Sequence, residues 1–227
     1  TTEPLKDFGI GSKLDLESIE LRFFDYWLKG IENGAPDDPP LRIFVMGVNQ
    51  WREESQWPLP STDLQDWHLH SQGSANTAIG DGRLSLEAPT DEPSDSFVYD
   101  PDYPVQTFGG SNCCTPDLVP WGPYDQRSVE MRSDVLCYTS APLQEDLTVI
   151  GPIKLVLHAE TDGRDTDWTA KLVDVSETGY AMNLCDGIIR ARYRQSLTDP
   201  QLIEPGQVYE YEIEVGTTAN VFRKGHR

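Results

Sequence analysis

Basic residues are scarce in this chain: 18 Lys and Arg stand against 38 Asp and Glu in 227 residues, a formal charge of -20. Such a surface repels a phosphate backbone and releases no counterions on meeting one, which excludes nucleic acid and anionic membranes as partners. The excess acid reads as a well-solvated surface, with recruitment of cationic substrates as the functional alternative. Long apolar runs are missing too. Nothing approaches the roughly 18 residues of a membrane span, and the first residues lack the basic and apolar blocks of a signal peptide, so a soluble, cytoplasmic protein is expected. Cysteine is limited to Cys113, Cys114, Cys137 and Cys185, which form no CxxC pair or zinc spacing. Reduced, mostly buried thiols are expected in place of a disulfide scaffold, and neither a metal nor another cofactor.

Aromatic residues are plentiful: six Trp, nine Tyr and seven Phe supply bulky core material, so wholesale disorder is not expected. Helical periodicity occurs once, over Leu16 to Lys29, where Leu16, Ile19, Phe23, Phe24, Trp27 and Leu28 share a broad face opposite Glu17, Arg22, Asp25 and Lys29. Asp15 is placed to cap this helix and Gly30 to stop it. Residues 31–40, rich in Gly, Asp and Pro, read as a linker.

Beyond Pro40 short strands alternate with Gly, Pro and Asp turns. Strands are predicted over Leu41 to Val48, Asp66 to Ser71, Arg83 to Glu87, Ser96 to Tyr99 and Val129 to Tyr138. Others are predicted over Leu147 to Glu160, Trp168 to Val175, Gly187 to Tyr193 and Val208 to Val215, with Asp186-Gly187 taken as a turn pair. Strands without intervening helices imply a mainly β, antiparallel sandwich of jelly-roll type. The proline-rich stretch from Thr90 to Tyr124 is too long for a simple connector and suggests a functional or packing loop.

Several phrases carry a family likeness. They are Arg22-Phe23-Phe24-Asp25-Tyr26-Trp27-Leu28-Lys29-Gly30, Ile43-Phe44-Val45-Met46-Gly47, Tyr99-Asp100-Pro101-Asp102-Tyr103-Pro104-Val105 with Gly109-Gly110, and Asp125-Gln126-Arg127. The set continues through Asp134-Val135-Leu136-Cys137-Tyr138-Thr139-Ser140, the block from Asp165 to Arg194, Val221-Phe222 and Gly225-His226-Arg227. Together they resemble the C-terminal region of the cocaine esterase and X-prolyl dipeptidyl-peptidase (CocE/NonD) family of serine hydrolases. The resemblance implies that residues 1–40 are the incomplete tail of an α/β-hydrolase domain, ending in its last helix. It also implies that residues 41–227 form the jelly-roll domain, its last strand missing. The implied partners are the absent hydrolase domain and a small ester or peptide substrate, and cut edges would invite self-association.

The chemistry of such an enzyme needs a Gly-x-Ser-x-Gly nucleophile elbow, and none occurs. Gly109-Gly110-Ser111-Asn112-Cys113 lacks the second glycine and sits in the irregular loop, so no catalytic residue is assigned. By resemblance this loop faces the hydrolase cleft, making Asn112, Cys113 and Cys114 candidates for the rim of a substrate pocket; the alternative is a loop packing on its own domain. His68 and His70 share a strand face, as metal ligands in a cupin do, but no glutamate follows at the right spacing, so edge or interface histidines are expected. Asp162, Asp165 and Asp167 read as a solvated turn more readily than a calcium loop. Arg132 with Asp134, and Arg190 with Asp186, are expected as structural pairs. His158 is taken as structural and His226 as a hydrogen-bonded residue closing the sandwich. The competing function is a stand-alone jelly-roll module binding carbohydrate or protein through Trp51, Trp57, Trp67 and Trp121.

Overall fold

The computed structural model describes residues 6–112 and 121–227. Helix α1 spans Leu16–Lys29, with the Ser18 amide donating to Asp15 Oδ1 at 3.2 Å and Gly30 closing it at φ 70°. Local capping chemistry therefore sets both ends, as the sequence implies. The linker folds back on the helix: Asn33 Nδ2 donates to the Arg22 carbonyl at 2.7 Å, and Arg22 pairs with Asp38 at 2.8 Å. No residue of α1 is buried.

Eight strands are present among the described residues: β1 (Leu41–Val45), β2 (Gln50–Glu54), β3 (His68–His70), β4 (Arg83–Ser85), β5 (Leu147–Ala159), β6 (Asp167–Val175), β7 (Ala181–Arg190) and β8 (Tyr209–Phe222). All pair antiparallel, as hairpins β1–β2, β3–β4 and β6–β7 and as the long ribbon β5–β8 that closes around the β6–β7 hairpin. The sequence of β8, YEYEIEV, alternates cleanly, putting Tyr211, Ile213 and Val215 inside while Glu210, Glu212 and Glu214 face water. A bulge opposite Ile153 and Lys154 then resets the alternation, so Thr218 and Asn220 are the next buried positions.

The core forms where the two ribbons bury their apolar faces on each other. Cys185, Ile213 and Val215 pack with Leu155, Leu157, Trp168, Leu172 and Ile189. Alongside, Ala191, Ile203 and Tyr211 make a second cluster, with Trp168 and Tyr211 rings 5.8 Å apart. A third cluster joins β1 to the far end of β8 through Val45, Leu59, Ile150 and Val221; there the Met46 amide and carbonyl bond the β8 backbone at 2.9 Å each. The architecture is a β-sandwich.

Four expectations fail. Asp186-Gly187 is not a turn but the interior of β7; the hairpin bend lies at residues 176–180, where Ser176 N donates to Tyr180 O. Residues 129–138 form no strand, because Arg127–Glu130 winds into a short helix, α2, and only Leu136 bridges to Asn76. Residues 96–99 pair with nothing in a ladder. The strand expected over residues 41–48 stops at Val45, where Gly47 at φ 82° and Asn49 at φ 55° turn the chain into β2, an additional strand whose charged sequence shows no strand alternation.

Gly187 is where β7 runs against β8. A Cβ there would overlap the Glu214 carbonyl oxygen and lie 2.8 Å from Val215 Cα, so no side chain fits without parting the strands. Gly187→Ala is expected to cost about 2–4 kcal/mol, mainly by overpacking backbone on backbone. Urea unfolding of the chain checks this; a midpoint unchanged from wild type contradicts the close approach.

Candidate functional site

The loop carrying the candidate rim residues rests on β6 and β7. Gly109 and Gly110 adopt positive φ, 74° and 90°, and Gly110 exchanges two backbone hydrogen bonds with Gly122, at 2.8 and 2.9 Å, which closes the loop at its base. A Cβ at Gly110 would overlap Asp186 Oδ1, the oxygen that also accepts from the Ser111 amide at 3.2 Å. Asn183, buried on β7, accepts the Tyr124 amide at 2.7 Å. Gln126, also buried, donates to the Phe108 carbonyl at 2.7 Å and takes a 2.9 Å hydrogen bond from Lys171 Nζ. Phe108 and Tyr124 stack edge to face across the same base.

The charges under this loop are perturbed by their burial. Lys171 is pushed below the usual lysine range by desolvation, against the pull of Asp186 and Glu130. Glu130 is raised, by burial first and the Asp125 charge second. Burial also pushes Asp125 upward, but hydrogen bonds from Arg127 and the Ala181 amide outweigh it and leave the carboxylate below its ordinary value. This lattice fixes the base of the loop.

Among the predicted site residues, Asn112 sits here, half-buried, its Nδ2 donating to the Gly109 carbonyl at 2.7 Å. Cys113 and Cys114 lie outside the described residues. Cys137 and Cys185 carry free thiols that desolvation pushes up to about 12 and about 11, which leaves them protonated and unreactive near neutral pH. Ser111 is exposed, with no base bonded to its hydroxyl among the described contacts. The stabilising residues Asn183, Lys171 and Gln126 carry no spacing signal in the sequence. They become visible only when the 124–126 segment pairs with β7.

Histidines and acids elsewhere fall into pairs. Asp165 and Asp167 bond Arg192 and Arg190 rather than forming a cation loop, and Arg190 meets Asp167 bidentately at 2.8 and 2.9 Å instead of the expected Asp186. The β6–β7 register places Asp167 directly opposite Arg190, whereas Asp186 turns to Ser111. Arg132 pairs with Asp134 as expected, at 2.7 Å. His226 Nδ1 lies 2.8 Å from buried Asp174, whose other oxygen accepts from Asn220 at 3.1 Å. His158 is exposed beside Glu210. Among the described residues, no group of three or more His, Cys, Asp or Glu side chains is placed to hold a metal.

His70 is the instructive case. Its Nδ1 is 2.8 Å from Glu92 Oε1 and its Nε2 is 3.1 Å from Ser85 Oγ, distances a Ser-His-Glu triad would show. Yet Nε2 also lies 3.0 Å from the Glu87 carbonyl oxygen, which only accepts and so favours a proton on that nitrogen, in competition with uptake of the Ser85 proton. The exposed Trp57 and Trp121 make no ring contact with another aromatic residue among the described residues, and Trp51 Nε1 is spent on the Gly11 carbonyl at 2.8 Å.

The buried Asn183 and Gln126 of this β-sandwich seat its own loop, which is the work of a supporting domain. Residues 33–227 match the X-Pro dipeptidyl-peptidase C-terminal non-catalytic domain, and the chain belongs to that family, the C-terminal domain of the CocE/NonD hydrolases. It is 41% identical over 225 residues to the cocaine esterase of Rhodococcus sp. (strain MB1 Bresler), covering 98% of this chain and 39% of that one. Among solved structures it resembles an α-amino acid ester hydrolase at a TM-score of 0.72 and 29% identity, over 90% of this chain and 35% of that one. It also resembles an aminopeptidase from a marine sediment Thaumarchaeota archaeon, with TM-score 0.71 and 27% identity, over 92% and 35% of the two chains. The chain thus spans about two fifths of the length of the curated relative. No helix among the described residues is long and apolar enough to cross a membrane.

Removing Asn183 leaves the Tyr124 amide without its acceptor in a site that excludes water. Asn183→Ala is expected to destabilise the sandwich by about 1–3 kcal/mol and to speed amide exchange in residues 108–112 and 121–126 more than in β5. Exchange that rises equally in β5 would show that the asparagine does not anchor the loop locally.

Proposed function

We propose that this chain is the C-terminal part of a serine hydrolase that cleaves esters or X-prolyl amides through an acyl-enzyme. Nucleophile, base and orienting carboxylate would stand on an α/β-hydrolase domain. The observation that carries this reading is the 41% identity to cocaine esterase across nearly the whole chain. Residues 1–40 are assigned to the tail of the hydrolase domain and residues 41–227 to the sandwich, a division supported by a family match that starts at residue 33. Asn112, Cys113 and Cys114 are assigned to the rim of the substrate pocket, with the β7 lattice holding the loop in register. The unpaired Cys137 and Cys185 support a reducing, cytoplasmic setting.

Helix α1 supports the partner assignment. Phe23, Phe24, Trp27 and Leu28 are 52%, 50%, 60% and 77% exposed, a run of large side chains that a folded protein covers. In the full-length protein the hydrolase domain covers them; in the isolated chain the same face drives self-association.

The 227-residue chain alone is expected to be inert toward aryl esters and X-prolyl anilides, while the full-length gene product turns one class over and is stopped by a serine-directed phosphonylating reagent. Serine-dependent turnover by the chain alone overturns the assignment. Trp27→Ala is expected to lower the stability of the full-length protein by about 3–5 kcal/mol through an interface cavity, and to reduce light-scattering aggregates of the isolated chain. Unchanged stability of the full-length protein would place the helix outside any interface.

A further inference from the structure

The His70 cluster is used by no step above, and its geometry asks for a proton. The ring is buried, with 7% of its surface exposed. Both nitrogens face oxygens that only accept: Nδ1 the Glu92 carboxylate at 2.8 Å, Nε2 the Glu87 carbonyl at 3.0 Å. A neutral imidazole carries one N–H and would aim its lone pair at one of them; only the imidazolium donates to both. Ser85 Oγ, 3.1 Å from Nε2, in turn accepts from the Glu87 amide at 3.2 Å. The second oxygen of Glu92 takes the Ser71 amide at 3.1 Å. One ring thus ties residues 85–92 to β3.

We propose that His70 is a proton-operated latch, its imidazolium strapping residues 87–92 onto the β3–β4 hairpin and its deprotonation releasing that strap, while Asp95 keeps the chain beyond it anchored. The strap borders an open trough whose lining includes His68, Glu92, Pro93, Asp95 and Phe97, so release changes the shape of that surface.

The other charges around the ring are accounted for. Glu92 raises the proton affinity of His70, chiefly by its hydrogen bond, and His70 in turn holds Glu92 below the usual carboxylate range. Arg83, the cross-strand partner of His70, works against the imidazolium without cancelling the shift. Asp81 is committed to the Gln72 and Ser74 amides, each at 3.2 Å. Asp95 bonds Ser71 Oγ, the Ala75 amide and Tyr138 OH, which outweigh its burial and keep it ionised. Asp95 does not titrate with the latch.

The sign follows from linkage. A histidine whose folded value is raised gives its full stabilisation below the ordinary value of about 6.5. The contribution falls as pH rises from there and is gone once pH passes the raised value. Closing is therefore favoured in acid and opening in mild base.

Hydrogen exchange in the full-length gene product tests the latch, with imidazole C2 exchange reading the His70 titration and amide exchange reading the strap. The expected result is a His70 midpoint above the ordinary histidine value. Exchange in residues 87–92, relative to β8, should rise by up to about tenfold per pH unit across the window. His70→Gln should abolish this dependence, and Glu92→Gln should move it to lower pH. A midpoint at or below the ordinary value overturns the latch. So does strap exchange that follows β8 at every pH, or pH dependence that survives in His70→Gln. If His70→Gln does not fold, Glu92→Gln decides, since it keeps the ring, and an unmoved midpoint overturns the proposal.

Discussion

Strand β8 has to satisfy three neighbours at once, and most of the described structure follows from how it does so. Its backbone bonds β5 along one edge and the Met46 peptide near its end, while its inner face receives β7 at Gly187. Strict alternation supplies an apolar inner face as far as Val215, and the bulge then lets the strand go on with polar groups inside. Asn220 uses that change of character, donating to Asp174, which also bonds His226. A strand that was apolar throughout would build a larger core but would leave one oxygen of buried Asp174 without the Asn220 donor.

The same buried polarity explains how a sandwich with small core clusters holds long irregular connections. Asn183, Gln126 and Asp125 are buried where loop meets strand, and each bonds backbone groups that no ladder reaches. Isolated, such groups would cost several kcal/mol in desolvation; fully bonded, they fix loop position more sharply than apolar contact does. Basic residues, scarce in the composition, are used in the same way. Arg127, Arg132, Arg190 and Arg192 each meet a carboxylate at a loop or strand junction.

What could be read in advance was what local chemistry decides. Helix α1 has the expected bounds because Asp15 and Gly30 terminate it whatever surrounds it. Strands β5 and β6 were legible because their apolar and β-branched content is dense. The failures arise where a local signal was overruled. Asp186-Gly187 has turn chemistry, yet there the glycine serves close packing and the aspartate the Gly110–Ser111 turn. Strand β2, QWREE, has no apolar pattern because pairing with β1 is what makes it a strand. Of the candidate site, Asn112 was named but its supports were not, since Asn183 and Lys171 lie 71 and 59 residues away along the chain. The sequence argues against a metal pair of His68 and His70 but carries no sign of the partner His70 has in space, Glu92, 22 residues on.

Acidity and the exposed helix bear on each other. Glu210, Glu212 and Glu214 line the outer face of β8, with Lys154 from β5 as the cation that meets Glu212 and Glu214. A net charge of -20 on such faces keeps copies apart and opposes indiscriminate association. Helix α1 runs counter to that economy, placing aromatic side chains in water on the only described element of its length that buries nothing. Exposed aromatic surface of this kind marks a site of contact more often than a solvated face. The charge on the sandwich bears on the proposed covering domain: it opposes copy-to-copy contact everywhere except at this helix, where apolar contact is the attraction on offer.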